Sequence, residues 1–174
     1  PGSFTGLRIG SATAKGLGLA LKKPLVEIPT VDALAYNLYD ANALICPIMD
    51  ARRSQVYTGI YCFQDHKLVT LEEQMAVPAA ELIEKLNERG NAVIFHGDGV
   101  PVFAKTIEET LKVPYSFAPA HVNKQRAAAV ATLAQLYVKE GKVVTAMEHV
   151  PEYLRVSQAE RERAQRLKEE KSDS

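Results

Sequence analysis

Cysteine is scarce in this chain, with two, Cys46 and Cys62, among 174 residues. The hydrophobic pattern places them on two strands of a hairpin that turns at about Asp50–Ser54. In that register Cys46 faces roughly residues 57 to 59, and Cys62 lies about three residues, or ~10 Å, further along. A disulfide does not tolerate that separation. Two reduced, structural thiols in a cytoplasmic protein are therefore expected. Net charge is missing as well. Lys and Arg number 21 and so do Asp and Glu, so bulk charge drives no binding to nucleic acid or acidic membrane. No apolar run approaches the ~20 residues of a membrane-spanning helix.

Several chemical signatures are also absent. The histidines are His66, His96, His121 and His149, and no pair has the i, i+4 spacing that sets two imidazoles on one helix face for a metal. Gly2 and Gly6 are separated by three residues where a P-loop needs four, and Leu7-Arg8 stand in place of Lys-Ser/Thr. The turn before the first helix has no Gly-x-Gly of a dinucleotide fingerprint. Ser3 has no histidine in its local pattern. Ser-His-Asp catalysis depends on geometry that sequence does not display, and Ser3 reads as a cap. No metal and no cofactor is expected.

What is present is a 47% hydrophobic composition, enough for a real core, in a length that fits one domain or two small lobes. Pro1-Gly2-Ser3 reads as a turn, with Ser3 or Thr5 as N-cap of a helix from about Thr5 to Leu21. Lys22-Lys23-Pro24 stops it. Gly6, Gly10, Ala14 and Gly18 recur every four residues along one side, flanked by Leu7, Leu17 and Leu21. Interior glycine costs a helix about 1 kcal/mol relative to alanine, so such a stripe makes sense where another backbone comes very close. Free N–H groups at the start of this helix leave anion binding as the alternative.

Further along, Leu25–Ile28 reads as a short strand and Thr30 as the cap of a helix to about Tyr39. Leu44–Met49 and Gln55–Phe63 are antiparallel strands, and Lys67–Leu71 an edge strand. Pro78 opens a helix to Arg89 that Gly90 ends, with Leu82, Ile83 and Leu86 inward. Ala92–Phe95 is a strand, His96-Gly97-Asp98-Gly99 a loop and Pro101–Leu111 a helix. Asn123 caps a long helix to Glu140. Residues 157–174 form a charged tail, and from Glu160 its five cations and five anions cancel, as in a solvated, frayed segment. The alternation of strands and helices indicates α/β or α+β.

Pro1-Gly2-Ser3-Phe4-Thr5-Gly6-Leu7-Arg8-Ile9-Gly10 resembles the signature of the TsaB (YeaZ) family, partners in making threonylcarbamoyl-adenosine in tRNA. Met49-Asp50-Ala51-Arg52 before Gln55-Val56-Tyr57, and the run from Ala128 through Pro151-Glu152-Tyr153-Leu154-Arg155, follow in family order. The resemblance implies an α/β fold of actin-like (ASKHA, ribonuclease H-like) lobes, with the N-terminal lobe incomplete. Residues 1–24 are then a remnant of that lobe and 25–156 the C-terminal one, the boundary falling near Leu25–Asp32. The first helix is expected to lack part of its cover and to dock on another copy or segment. The related catalytic subunit TsaD carries a metal-binding His-x-x-x-His. Here the matching region, Ile28 to Tyr36, holds no histidine.

Two loops remain. Phe95-His96-Gly97-Asp98-Gly99-Val100 resembles the Gly-rich nucleotide loop of actin-like proteins, while a plain strand-to-helix turn needs the same glycines for positive φ. Asp50 either holds its own turn or approaches a nucleotide together with Gly97, Asp98 and Gly99. Three readings follow. The first is a non-catalytic scaffold whose interface is Gly6, Leu7, Gly10, Ala14, Leu17, Gly18 and Leu21. Its partners are TsaD, the TsaE ATPase subunit and, when alone, a second copy, with tRNA met only through the complex. The second is an ATPase or glycoprotease-like peptidase, and the third a nucleotide-binding regulator. The scaffold is the reading adopted, with no catalytic residues and a cytoplasmic location.

Overall fold

Runs of β-branched and aromatic residues, divided by short polar turns, produce a sheet in the middle of the chain. The computed structural model describes residues 3–154, and the charged tail expected over 157–174 lies outside the described residues. Leu44–Asp50 (β1), Gln55–Gln64 (β2) and Lys67–Pro78 (β3) form an antiparallel meander. Val93–His96 (β4) then pairs parallel to β1, and Tyr115–Phe117 (β5) parallel to β4, in the order β3-β2-β1-β4-β5. Parallel neighbours need crossovers. Ala79–Arg89 (α3) lies on the way from the meander to β4, and Val100–Thr110 (α4) joins β4 to β5.

Alternate strand residues point to opposite faces, and the two faces bury different partners. Cys46, Ile48, Val56, Ile60 and Phe95 share a core with Leu82, Ile83 and Leu86 of α3 and Phe103 and Ile107 of α4. Ile45 and Tyr61 face the other way, onto Val31 and Ala35 of the short helix Thr30–Ala35 (α2). Ala127–Lys139 (α5) packs beside α2 on that second face. The expected α/β class therefore holds.

Several boundaries differ from expectation. Among the described residues Leu25–Ile28 is not a strand, because only Leu25 finds a ladder partner there, exchanging both backbone hydrogen bonds with Val144. The edge strand β3 runs past Leu71 to Pro78, since β2 is long enough to pair with it throughout. The helix after Pro29 is α-helical only to Ala35 and ends in a 3-10 turn, Tyr36–Leu38, and Thr30 is its first residue rather than its cap. Asn123 caps no helix. Its side-chain oxygen accepts from the Gly97 N–H at 3.3 Å, and α5 starts four residues later. The three-residue β5 went unpredicted because so short a segment shows no period.

Both cysteines are free. Ile45 pairs with Tyr61 and Ile48 with Thr58, which puts Cys46 opposite about residue 60, slightly beyond the expected register. Burial pushes its thiol up to about 12, although Thr58, 3.5 Å away, pulls in the other direction.

The β1–β2 turn shows how Asp50 works. Its carboxylate accepts from the Arg52 N–H at 2.7 Å and from Arg52 Nη1 at 3.0 Å. Gln55 N–H closes the turn on the Arg52 carbonyl at 3.1 Å. Arg53 and Ser54 are its two central residues, at φ 55° and 57°. Positive φ at both centres suits Asn-Gly, and other residues pay for it. The double change Arg53→Asn, Ser54→Gly should raise stability by about 1 kcal/mol, read as a higher urea midpoint. An unchanged midpoint would show that the turn carries no such strain.

Candidate functional site

Phe4–Leu21 (α1) is the helix that the small-residue stripe predicts. Ser3 rather than Thr5 is its cap, with Oγ accepting from the Gly6 N–H at 3.1 Å. Lys22, at φ 52°, turns the chain out of the helix and returns its N–H to the Gly18 and Leu19 carbonyls. The notable property of α1 is how little of it is covered. Phe4, Ile9, Leu17, Leu19 and Leu21 are between 44% and 65% exposed, and Gly18 is its one buried residue. Leu7, Gly10, Ala14, Leu17 and Leu21 follow a heptad spacing and so share a face.

That face borders a groove of about 780 Å³ between α1 and the rest of the molecule. Gly6, Leu7, Gly10 and Ala14 line one wall, with Val26, Ile28, Tyr137, Val143 and Pro151 among the residues across from them. The stripe divides into two parts. A Cβ on Gly18 would lie 3.1 Å from Leu25 Cδ2 and 3.3 Å from Ala146 Cβ, so this glycine serves a close contact inside the chain. A Cβ on Gly10 would meet nothing within 4 Å. Gly10 therefore leaves room that the described residues do not fill.

A buried polar cluster lies against the groove, and the sequence reading missed it. Asp32 accepts from the Tyr61 hydroxyl at 2.7 Å and from the Tyr137 hydroxyl at 3.3 Å. Burial raises the Asp32 carboxyl above its usual range, while the two phenols pull it back and Glu73 and Glu152 push it up. Burial also raises both phenols, Tyr137 to about 12, with the Asp32 charge adding to the effect. Both carboxylate oxygens are engaged, so the cluster ties α2, β2 and α5 together rather than offering a free base. No local motif announces residues drawn from three distant elements.

The second candidate loop is brought against the β1–β2 turn. Gly97, at φ 112°, sits so close to β1 that a Cβ would fall 2.2 Å from the Ile48 carbonyl oxygen. Gly99 donates its N–H to that oxygen at 3.0 Å, and its own Cβ would lie 3.3 Å from Asp50 N. These glycines are thus required by a backbone crossing, and Asp50 is occupied by its own turn. Asp98 points to solvent. Among the described residues no three His, Cys, Asp or Glu side chains gather as a metal ion would need, and no helix is long and apolar enough to cross a membrane.

Known proteins resemble this chain. A family model described as "TsaD: tRNA N6-adenosine threonylcarbamoyltransferase" matches residues 1–163. The "tRNA threonylcarbamoyladenosine biosynthesis protein TsaB" of Bacillus subtilis is 34% identical over 160 residues, covering 92% of this chain and 68% of that protein. The chain belongs to the TsaB (YeaZ) family. The Escherichia coli protein of the same name is 30% identical over 102 residues, 57% of this chain and 44% of its own length. Among solved structures, "YeaZ from Pseudomonas aeruginosa" superposes with a TM-score of 0.69 at 22% identity, over 88% of this chain and 71% of that one. A second, described as an uncharacterized protein with similarity to peptidase YEAZ from Pseudomonas aeruginosa, gives 0.68 at 24%, over 89% and 70%. At that identity these two establish the fold alone. The TsaB family has the actin-like fold, so the expected α/β, actin-like fold class stands.

Proposed function

We propose that this chain serves tRNA threonylcarbamoyladenosine biosynthesis as a non-catalytic, cytoplasmic scaffold that presents α1 to a catalytic subunit of the TsaD kind. The observation that carries the reading is α1 itself, an amphipathic helix whose apolar residues stay exposed while Gly10 stands open on its stripe. Exposed apolar residues grouped on one element mark a protein-binding surface rather than a solvated one. The heptad face supplies the hydrophobic anchors and the small residues the close approach. The same face pairs two copies when the catalytic subunit is absent, and the complex brings in the TsaE ATPase subunit and tRNA. In this reading the actin-like lobe that starts near residue 25 is a mount for the helix.

The names of the relatives support the pathway, and the engagement of Asp50, Gly97 and Gly99 in their own backbone crossing favours a scaffold over a nucleotide enzyme. A leucine at position 10 should keep the fold, because its Cβ meets no neighbour. It should also fill the space a partner needs. We expect Gly10→Leu to keep or raise the melting temperature, because a good helix former in place of an interior glycine gains up to about 1 kcal/mol. It should weaken association with the TsaD subunit at least tenfold, about 1.4 kcal/mol. Sedimentation of the mixed subunits tests this, and unchanged association in a folded Gly10→Leu variant would refute the scaffold surface.

A further inference from the structure

His96 closes β4 and is fully buried. Its neighbour Phe95 belongs to the core beneath α3 and α4, so the imidazole faces the other side of the sheet. There the chain from β5 to α5, residues 119–126, crosses it, and the Val122 backbone reaches the ring. Asn37, in the 3-10 turn after α2, reaches Val122 as well. Among the described residues, the buried side-chain nitrogen and oxygen atoms without a hydrogen bond are His96 Nδ1, His96 Nε2 and Asn37 Oδ1. All three sit on side chains that meet Val122. A buried polar group left unpaired is costly, and a buried charge far more so.

What holds residues 119–126 in place is mostly polar. Asn37 Nδ2 donates to the Val122 and Lys124 carbonyls, both at 3.0 Å. Gln125 Nε2 donates to the Thr30 carbonyl at 2.8 Å, and Asn123 Oδ1 accepts from the Gly97 N–H at 3.3 Å. Within the segment, the Val122 N–H returns to the Pro119 carbonyl at 3.0 Å, and Arg126 Nη2 to that of His121. Val122 is its one buried residue. Little apolar burial and many hydrogen bonds near water place a segment in the part of a fold that opens at low cost. Both ends are fixed. The Ala118 N–H bonds the Phe95 carbonyl at 2.9 Å, and α5 begins at Ala127.

We propose that residues 119–126 form a lid over His96 that opens as a unit while the sheet stays folded, and that acid drives the opening. With the lid closed, a proton on the ring buries a charge that nothing pairs. With it open, the ring meets water and takes up a proton in the ordinary range. Charged or titratable side chains stand on the elements at this face. They are Asp32 on α2, Tyr36 in the turn after it, Asp98 in the loop after β4, and His121, Lys124 and Arg126 on the lid itself. Pro47 and Ser116, the strand neighbours on that side, carry no charge. Burial sets the state of the imidazole, with the Val122 backbone opposing it, and none of those six contributes. Opening removes one hold on Gly97 and three on α2 and its turn, so the loop after β4 and α2 loosen together. None of this depends on the scaffold reading.

Hydrogen exchange on the whole chain, read by NMR, tests the lid. At pH 7 the amides of Gly97, Val122 and Asn123 should exchange at least tenfold faster than those of β1 and β2, and ~1 M urea should speed only the strand amides. Corrected for intrinsic rates, exchange at those three should rise about twentyfold from pH 7 to pH 5. That is the factor for a ring that titrates near 6.5 when open and at about 4 when closed. In His96→Leu, where nothing takes up the proton, the rise should vanish. In the unaltered chain the His96 ring-proton shifts should titrate near pH 4, a readout that needs no variant. Each of three results would overturn the lid: the three amides exchanging at the strand rate with the same urea response, no rise towards pH 5, or an equal rise in His96→Leu. So would a ring midpoint near 6.5.

Discussion

Gly97→Ala should be the most damaging single-atom-scale change in this protein, with a loss upwards of about 4 kcal/mol, in the range where a named mechanism is required. Two penalties coincide. Residue 97 holds φ 112°, which L side chains rarely adopt, and its Cβ would stand 2.2 Å from the Ile48 carbonyl oxygen. That oxygen is backbone of β1 and already accepts from Gly99 N–H, so it has no flexible end to swing aside. Relief would mean parting β4 from β1, the one parallel seam joining the meander to the rest of the sheet. Gly90→Ala makes the control. Gly90 also has positive φ, at 72°, but nothing lies within 4 Å of its Cβ position. Its cost should be the backbone term alone, about 1–2 kcal/mol. Urea titration of the two variants decides, and equal costs would show that the contact with Ile48 does not matter.

Acid should weaken the fold through His96. This residue ends β4 opposite Pro47 and is fully buried. Burial holds its imidazole down to about 4, and the nearby Val122 backbone only partly restores it. Among the described residues neither ring nitrogen has a hydrogen bond of normal geometry. The unfolded chain therefore takes up a proton near pH 6.5 that the folded chain refuses until about pH 4. Stability from this group is complete above pH 6.5 and falls as the pH drops towards 4, by about 3 kcal/mol in all.

Carboxylates shift on folding as well. Asp32, raised by burial, gains stability as the pH falls through its own range. Glu72, lowered chiefly by its bond from Arg89, loses it. A difference curve removes both. His96→Leu eliminates a buried polar ring of similar size, so at pH 7 it should be neutral or better. The gap between the variant and the unaltered chain should then widen by about 3 kcal/mol from pH 7 to pH 4. Parallel urea curves would show that His96 titrates normally.

Both results concern residues whose type was visible and whose meaning was not. The glycines of the 97–99 loop could be read as a nucleotide cradle or as a turn. Only the position of β1 beneath them, with Ile48 O against Gly97, gives them to the turn. Asp50 had the same two readings, and the Arg52 bonds decide for the turn. Asp32, Tyr61 and Tyr137 gave no signal at all, since a cluster assembled across 105 positions leaves no local spacing to find.

What the sequence by itself determined is what short-range physics controls. The α1 limits follow from Ser3, Lys22 and Pro24, and the amphipathic limits of α3 from Leu82, Ile83, Leu86 and Gly90. The β1–β2 hairpin follows from two β-rich runs around a polar turn, and the family from the residues of α1 and its approach. Tertiary structure decided whatever depends on a neighbour. Leu25–Ile28 has strand-forming residues but finds a single partner, so it stays a bridge. β3 reads as a short edge, yet ladder hydrogen bonds to β2 extend it to Pro78. Gly6, Gly10, Ala14 and Gly18 look equivalent along a helix. Gly18 is closed off by Leu25 and Ala146 and Gly6 by its own cap, Ser3, while Gly10 is left open. A periodic sequence marks which side of a helix is smooth; which part of that side is already filled depends on chain far away.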